Sequence, residues 1–229
     1  MQNLSVFFPA FNEEKNIETT VKKAIKVLDS LNLNWEIIII NDGSTDNTQK
    51  VAESLAEKSK KIRVINQENG GYGRALRAGF DNSKYDWIVY TDADGQFDFQ
   101  EVIKFLEKTS QADLILGYRI KRNDPYIRLV VARGWAILML IFFGLKLKDV
   151  DCGFKMVNRK VLEGIPALES TRGGMINAEL VIKAGNFGFR VIQIGVHHYP
   201  RLYGKPTGAG MKVIITSFIE LLKLRLKLI

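Results

Sequence analysis

Residues 90–98 read YTDADGQFD and set two carboxylates, Asp92 and Asp94, two positions apart at the end of an apolar run. Side chains at i and i+2 point to the same side of an extended chain, so two like charges are held together. A cation beside them makes such a pair stable. Hard oxygen donors suit Mg2+ or Mn2+, and Mg2+ typically takes one or two carboxylates plus substrate phosphates rather than a closed protein cage. Gln96 has the same parity and offers a neutral ligand, or orients one. A solvated acidic turn is the ordinary alternative. The carboxylates of a retaining glycosidase are not, because they flank a sugar bond from opposite sides.

Holding that loop requires a scaffold, and the chain supplies short β-branched and aromatic runs alternating with amphipathic stretches. LSVFF, WEIIII, IRVIN, DWIVYT and DLILGY read as strands, with helices after Asn12, from about Asp46, near Arg74 and from about Asp98. Continuous apolar strands separated by helices predict an α/β, doubly wound, mostly parallel sheet covered on both faces. Ligands of such sheets bind beyond the carboxyl ends of the strands. The polar loops PAFNEE, NDGSTDNT, QENGGYGRA, DADGQ and GYRIKR follow the five runs in order.

In NDGSTDNT, an Asp-Gly turn with a helix cap is one reading; Asp42 as acceptor for a base or ribose group is the other. GGYGRA resembles a dinucleotide fingerprint, but Leu76 stands where the third glycine is required, which argues against nicotinamide chemistry.

The 229 residues suit one α/β unit with a C-terminal elaboration. The single cysteine, Cys152, excludes an intrachain disulfide and a cysteine metal cluster and reads as a small core residue. Met1 to Phe11 lacks the basic start of a secretory signal. Residues 1–114 hold 14 Lys/Arg against 18 Asp/Glu, whereas residues 115–229 hold 19 against 7. Such segregation predicts an anionic partner for the second half, among phosphates, nucleic acid and lipid headgroups.

Residues 126–147 are helical in flavour and uncharged from Gly134 to Leu145, too short to cross a bilayer. A buried helix or an interfacial one is expected. A mixed segment containing DCGFKMVN follows, then a helix around AELVIKAG and a strand near FRVIQIGV. In 211–229, Lys212, Thr216, Glu220, Lys223 and Lys227 trace one polar stripe on an otherwise apolar helix. It would dock on the domain, on a partner protein or on anionic lipid.

Taken in order, FFPAFNEEKNI, NDGSTDNT, DADGQ and DCGFKMVNR resemble the motifs of the inverting GT-A glycosyltransferases. The closer likeness is to the polyprenyl-phosphate glycosyltransferases of the dolichol-phosphate mannose synthase kind. The resemblance implies a catalytic domain over 1–210 and a C-terminal amphipathic helix over 211–229. It implies that Pro9, Phe11, Glu13, Asp42 and Asp92 hold the nucleotide, with phenylalanine at position 11 where the family usually has tyrosine. It further implies that Asp92, Asp94 and Gln96 hold Mg2+ or Mn2+ with the diphosphate, and that Arg119 and Arg133 grip an acceptor phosphate, joined by Arg128 and Arg201. Asp92, Asp94, Arg119 and Arg133 would then carry catalysis.

Hydroxyl acceptors need a positioned base, and the second half offers only Glu179, at the start of AELVIKAG. A lipid phosphate is already anionic and needs only to be held, a task suited to guanidinium groups. The expected activity is therefore metal-dependent transfer of a hexose, mannose or glucose, from a GDP- or UDP-sugar to a polyprenyl phosphate of dolichyl or undecaprenyl type, with inversion. The implied location is peripheral, on the cytoplasmic membrane surface, where a membrane partner protein would assist and no nucleic acid is bound. Transfer to a sugar or glycolipid hydroxyl, and a non-catalytic nucleotide-sugar or lipid binder on the same fold, are the alternatives. Gly204, Gly208 and Gly210 suggest a flap; His197 and His198 read as strand-end structure.

Overall fold

The computed structural model of the chain describes residues 3–121, 126–171, 173–204 and 211–227, with side chains except those of 126–132 and 211–218. Gly208, Gly210 and the side chains of Arg128, Lys212 and Thr216 lie outside the described residues.

Four consecutive isoleucines, Ile37 to Ile40, are each fully buried in β2 (Asn34–Asp42). A strand buried on both sides needs cover above and below, which fits a parallel sheet between helical layers. β2 lies between β1 (Asn3–Ala10) and β3 (Ile62–Gln67), and β1 also pairs with β4 (Trp87–Tyr90), all in parallel. Even-numbered β1 residues Val6 and Phe8 enter one core with Ile37 and Ile39, while Phe7 enters the other with Ile38, Ile40 and Tyr90. The period of two thus divides one apolar run between two layers.

α1 (Ile17–Ser30) and α2 (Thr48–Glu57) are connected to the first layer by Val21, Ala24, Ala52 and Leu55. α3 (Tyr72–Asn82) covers the second with Ala75, Leu76 and Phe80. A Cβ at Gly79 would lie 2.4 Å from the Phe7 ring, so α3 approaches β1 only because that position is glycine. A 3-10 turn, Phe99–Glu101, leads into α4 (Val102–Leu106) and then β5 (Leu114–Arg119).

The sheet has seven strands in the order β3-β2-β1-β4-β6-β5-β7. β6 (Lys155–Asn158) runs antiparallel between β4 and β5, and β7 (Val191–Val196) pairs in parallel with β5. β6 and the short α6 (Arg159–Gly164) were not separate expectations of the sequence. Because β6 is reversed, DCGF arrives at the binding edge, where β4 leaves it; Tyr90 faces Lys155 across the ladder.

α5 (Tyr126–Phe143), α7 (Met175–Asn186) and α8 (Met211–Lys227) form a third cluster through Met139, Met175, Ala178, Ile182, Leu221 and Leu224. Among the described residues no helix is long and apolar enough to cross a membrane.

Candidate active site

The chain reverses its direction of sheet growth between β1 and β4, and a crevice for ligands opens at such a switch point. The loop after β1 and the DADGQ loop after β4 flank it. Residues 11–14 are knitted to residues 44–48. Asn12, at φ 58°, donates its N–H to Ser44 Oγ (3.0 Å) and accepts from Thr45 N (2.8 Å); Glu13 N donates to Thr48 Oγ1 (2.8 Å). Phe11 is part-buried beside them, whereas Pro9 is buried within β1, beyond its last β4 pair. There the missing N–H costs no ladder bond to β4.

Asp42 is fully engaged by the next loop. Its Oδ1 accepts from Gln67 Nε2 (2.5 Å) and Gly70 N (3.0 Å), and its Oδ2 from Gly71 N (2.9 Å). The GGYG loop is thus held by a carboxylate, so Asp42 reaches a nucleoside only while also serving that loop.

Asp92 and Asp94 leave β4 side by side. Asp92 Oδ1 accepts from Tyr72 Oη at 3.0 Å, and Asp94 Oδ1 from Gln96 N at 3.1 Å. Burial, then the charge of Asp94, pushes the Asp92 carboxyl up to about 7, against the Tyr72 hydroxyl and the positive fields of Lys155 and Arg119. Burial raises Asp94 too, against the Gln96 N–H and the cations Arg201 and His198. The Tyr72 phenol is held well above its usual value by burial and by Asp92, so it stays a donor.

A cation already touches this pair. Arg201 Nη1 lies 3.4 Å from Asp94 Oδ2, and Nη2 pairs with Glu13 Oε1. Glu13 is buried and its carboxyl raised by that burial, against Asn16 and Arg201. Arg201 belongs to a strap, residues 197–204, laid over the DADGQ loop. Tyr199 N donates to Gln96 O (2.8 Å), Gln96 Nε2 donates to Tyr199 O (2.9 Å), and Phe97 bridges His198. Gln96 spends its amide nitrogen on the strap, so its amide oxygen is the atom a metal would use. His197 Nδ1 meets Glu101 (3.0 Å), the structural part expected of it.

The donor set fits a hard divalent ion completed by substrate. Two carboxylates share one side, an arginine stands in as counter-charge, and among the described residues no cluster of three or more His, Cys, Asp or Glu closes a cage. Because burial and the charge of Asp94 push the Asp92 carboxyl up to about 7, Mn2+ affinity should rise with pH below that value and level off above it. Calorimetry in buffers of different ionisation enthalpy should show protons released on Mn2+ binding below pH 7 and progressively fewer above it; a flat profile would separate Asp92 from the metal. The same shift makes Asp92 weaken the metal-free fold as pH climbs from the ordinary carboxylate range towards 7, since the unfolded chain loses its proton first.

On the other bank, Arg119 Nε and Nη2 fork onto Asp149 at 2.6 and 2.9 Å. Arg119 is therefore fixed in orientation, near enough to act on Asp92. Arg133 stands exposed on α5. Glu179 does not serve as a ready base: its oxygens accept from Glu169 N and Ser170 N (2.8 Å each) and pair with Lys183 (2.6 Å). Burial would raise its carboxyl, but Lys183 and those N–H groups outweigh it and hold it below its usual value.

Sequence reasoning missed three participants. Lys155, fully buried, sits over the Tyr90 ring at 5.7 Å and bonds Cys152 O, adding positive charge behind Asp92. Gly153 lets β6 approach, since a Cβ there would lie 2.2 Å from Asp92 Oδ2. Tyr72 is the third. All three lie inside motifs legible in the sequence, Gly153 and Lys155 in DCGFKMVNR and Tyr72 in GGYGRA, but nothing local to those motifs pointed to Asp92.

Comparison with known proteins agrees with this geometry. The family model described as Glycosyl transferase family 2 matches residues 5–165. A dolichyl-phosphate beta-glucosyltransferase of Trichomonas vaginalis is 29% identical, over 96% of this chain and 72% of its own length. An undecaprenyl-phosphate 4-deoxy-4-formamido-L-arabinose transferase of Edwardsiella ictaluri is 27% identical, over 93% of this chain and 65% of its own. The chain thus spans only part of these relatives. Glucosyl-3-phosphoglycerate synthase from Mycobacterium tuberculosis, solved with Mn2+ and UDP-glucose, superposes with a TM-score of 0.75 at 20% identity, covering 98% of this chain and 79% of that one. The shared architecture is the GT-A fold.

Proposed function

Because the chain belongs to glycosyl transferase family 2, we propose that it moves a hexose, glucose or mannose, from a nucleoside diphosphate to the phosphate of a polyprenyl lipid. The observation that carries this reading is the Asp92–Asp94 pair at the switch point, the first half-buried and the second buried, with Arg201 against Asp94 and Glu179 already committed elsewhere. A hydroxyl acceptor would have to lose a proton to a base. A phosphate oxygen needs none. The names of the Trichomonas and Edwardsiella relatives point to the same acceptor class.

In this mechanism a phosphate oxygen of the lipid forms a bond to the anomeric carbon as the bond from that carbon to the donor's diphosphate oxygen breaks. The electron pair leaves with the nucleoside diphosphate. One displacement inverts the centre. A divalent ion held by Asp92, Asp94 and the Gln96 oxygen would neutralise charge developing on the departing diphosphate. Arg201 lies where it can turn from Glu13 and Asp94 to a phosphate, while Arg119, aligned by Asp149, and Arg133 of α5 bring positive charge to the acceptor. Phe11 and the loops joined through Asn12 and Ser44 would seat the nucleoside.

Membrane contact is part of the proposal. Ile137, Leu140 and Ile141 of α5 and Ile219, Leu222 and Leu226 of α8 are exposed, with Lys223 and Lys227 nearby. Arg225 lies 5.9 Å from the Phe143 ring, so the two helices adjoin. Apolar residues edged by cations suit an anionic lipid surface.

One experiment tests both parts: UDP- and GDP-hexoses with Mn2+ and a short polyprenyl phosphate, supplied in detergent and in anionic vesicles, followed by mass measurement of the lipid. A lipid heavier by one hexosyl unit, formed faster on vesicles, is expected. Transfer only to sugar hydroxyls, or donor binding without transfer, would overturn the acceptor assignment; equal rates in detergent and on vesicles would overturn the membrane role.

A further inference from the structure

We infer that Tyr72 is a positioning residue: its hydroxyl fixes the rotation of the Asp92 carboxylate and couples the nucleoside-side loops to the metal seat. The inference rests on the reading that Asp92 meets the donor's metal, and it concerns how that carboxylate is kept ready.

The chain of contacts starts at β2. Asp42 takes the N–H groups of Gly70 and Gly71, and Gly71 adopts φ 86°, a left-handed turn that glycine makes readily. α3 begins at the next residue, Tyr72. The first turn of α3 is held from the opposite side as well. Arg74 N donates to Thr171 O at 3.2 Å, and Gly73 lies so close to Ser170 that a Cβ would stand 2.4 Å from its carbonyl oxygen. Ser170 is itself held by Glu179. The Tyr72 backbone is therefore fixed by two loops, one from each side of the cleft.

From that anchor the hydroxyl reaches Asp92 Oδ1 at 3.0 Å. Asn177 of α7, which accepts from Tyr90 Oη at 2.7 Å, also interacts with Tyr72. The other oxygen, Asp92 Oδ2, lies against Gly153, in the bend that leads into β6. One oxygen is tethered and the other walled, so rotation of the carboxylate breaks a hydrogen bond or meets the backbone. Without the hydroxyl the tether is gone but the acid remains. Partners that orient a metal-binding side chain typically change metal affinity by about ten- to a hundredfold.

Tyr72→Phe removes the one oxygen that meets Asp92 and keeps the ring. Mn2+ binding in the presence of UDP or GDP, followed by electron paramagnetic resonance, is expected to weaken by about ten- to a hundredfold. Binding of the same nucleotides without metal, and the melting temperature, are expected to stay at parental values. Asp94→Ala serves as reference. If Asp94→Ala loses Mn2+ but Tyr72→Phe binds it like the parent, the positioning role is wrong and the metal site stands. If Tyr72→Phe weakens metal-free nucleotide binding to the same extent, the tyrosine is merely structural and the inference fails. If Asp94→Ala also keeps Mn2+, the metal site itself is wrong and the inference falls with it.

Discussion

Asp94→Ala is expected to lower kcat/KM by about a thousandfold or more, corresponding to roughly 4 kcal/mol of transition-state stabilisation. The alanine removes one of the two carboxylates proposed to hold the metal and one of the two carboxylates that pair with Arg201, whose Nε stays on Tyr203 O. Loss of charge stabilisation on the departing diphosphate is therefore joined by a freed arginine that still pairs with Glu13. Folding should be spared. Burial raises the Asp94 carboxyl above its usual value, so its contribution to the stability of the metal-free fold declines as pH rises from the ordinary carboxylate range, the unfolded chain losing its proton first. The variant should melt no lower than the parent near pH 7 without metal. Steady-state rates at saturating Mn2+ and a melting curve measure both effects; activity within about tenfold of the parent would remove Asp94 from the reaction.

Gly153→Ala is expected to cost about a hundredfold in turnover although residue 153 supplies no functional group. Its methyl would stand 2.2 Å from Asp92 Oδ2 and 2.6 Å from the carboxyl carbon, distances that real side chains do not sustain. Either Asp92 turns away from Tyr72 or β6 slides along β4, and a misplacement near 1 Å is enough for such a loss. Overpacking also costs about 1–3 kcal/mol of stability, read as a lower melting temperature. The apparent Mn2+ requirement should rise with the loss of rate. Parental turnover and metal requirement together would show that Asp92 has room to move and that its orientation is unimportant.

Much of this was legible from residue order. The isoleucine run of β2 pointed to a doubly covered strand because four β-branched residues in a row suit a strand buried on both faces, whereas the Asp92–Asp94 spacing was read as strand alternation although β4 ends at Tyr90 and Asp94 lies in a turn. β6 escaped because four residues beginning with lysine carry no period, and Lys155 reads as surface until a low-dielectric pocket and a carbonyl are placed around it. Long-range partners escaped for a simpler reason. Asp149 follows Arg119 by 30 positions and Tyr72 precedes Asp92 by 20, and no local rule connects them. The C-terminal stripe was read only in part: Lys223 and Lys227 are exposed, but Glu220 is half-buried, its Oε2 buried and without a hydrogen-bond partner among the described residues.

The reversed strand has a consequence for how this scaffold tolerates change. Asp92 and Gly153 are neighbours because Tyr90 and Lys155 occupy the same rung of a ladder, not because the stretch joining them has a particular length. On the proposed reading, in which Arg119 and Arg133 face the acceptor, insertions or deletions between β5 and β6 would alter the acceptor side while leaving that rung intact. New recipients can thus be explored by lengthening or trimming one excursion, with the donor half of the reaction insulated from the trial.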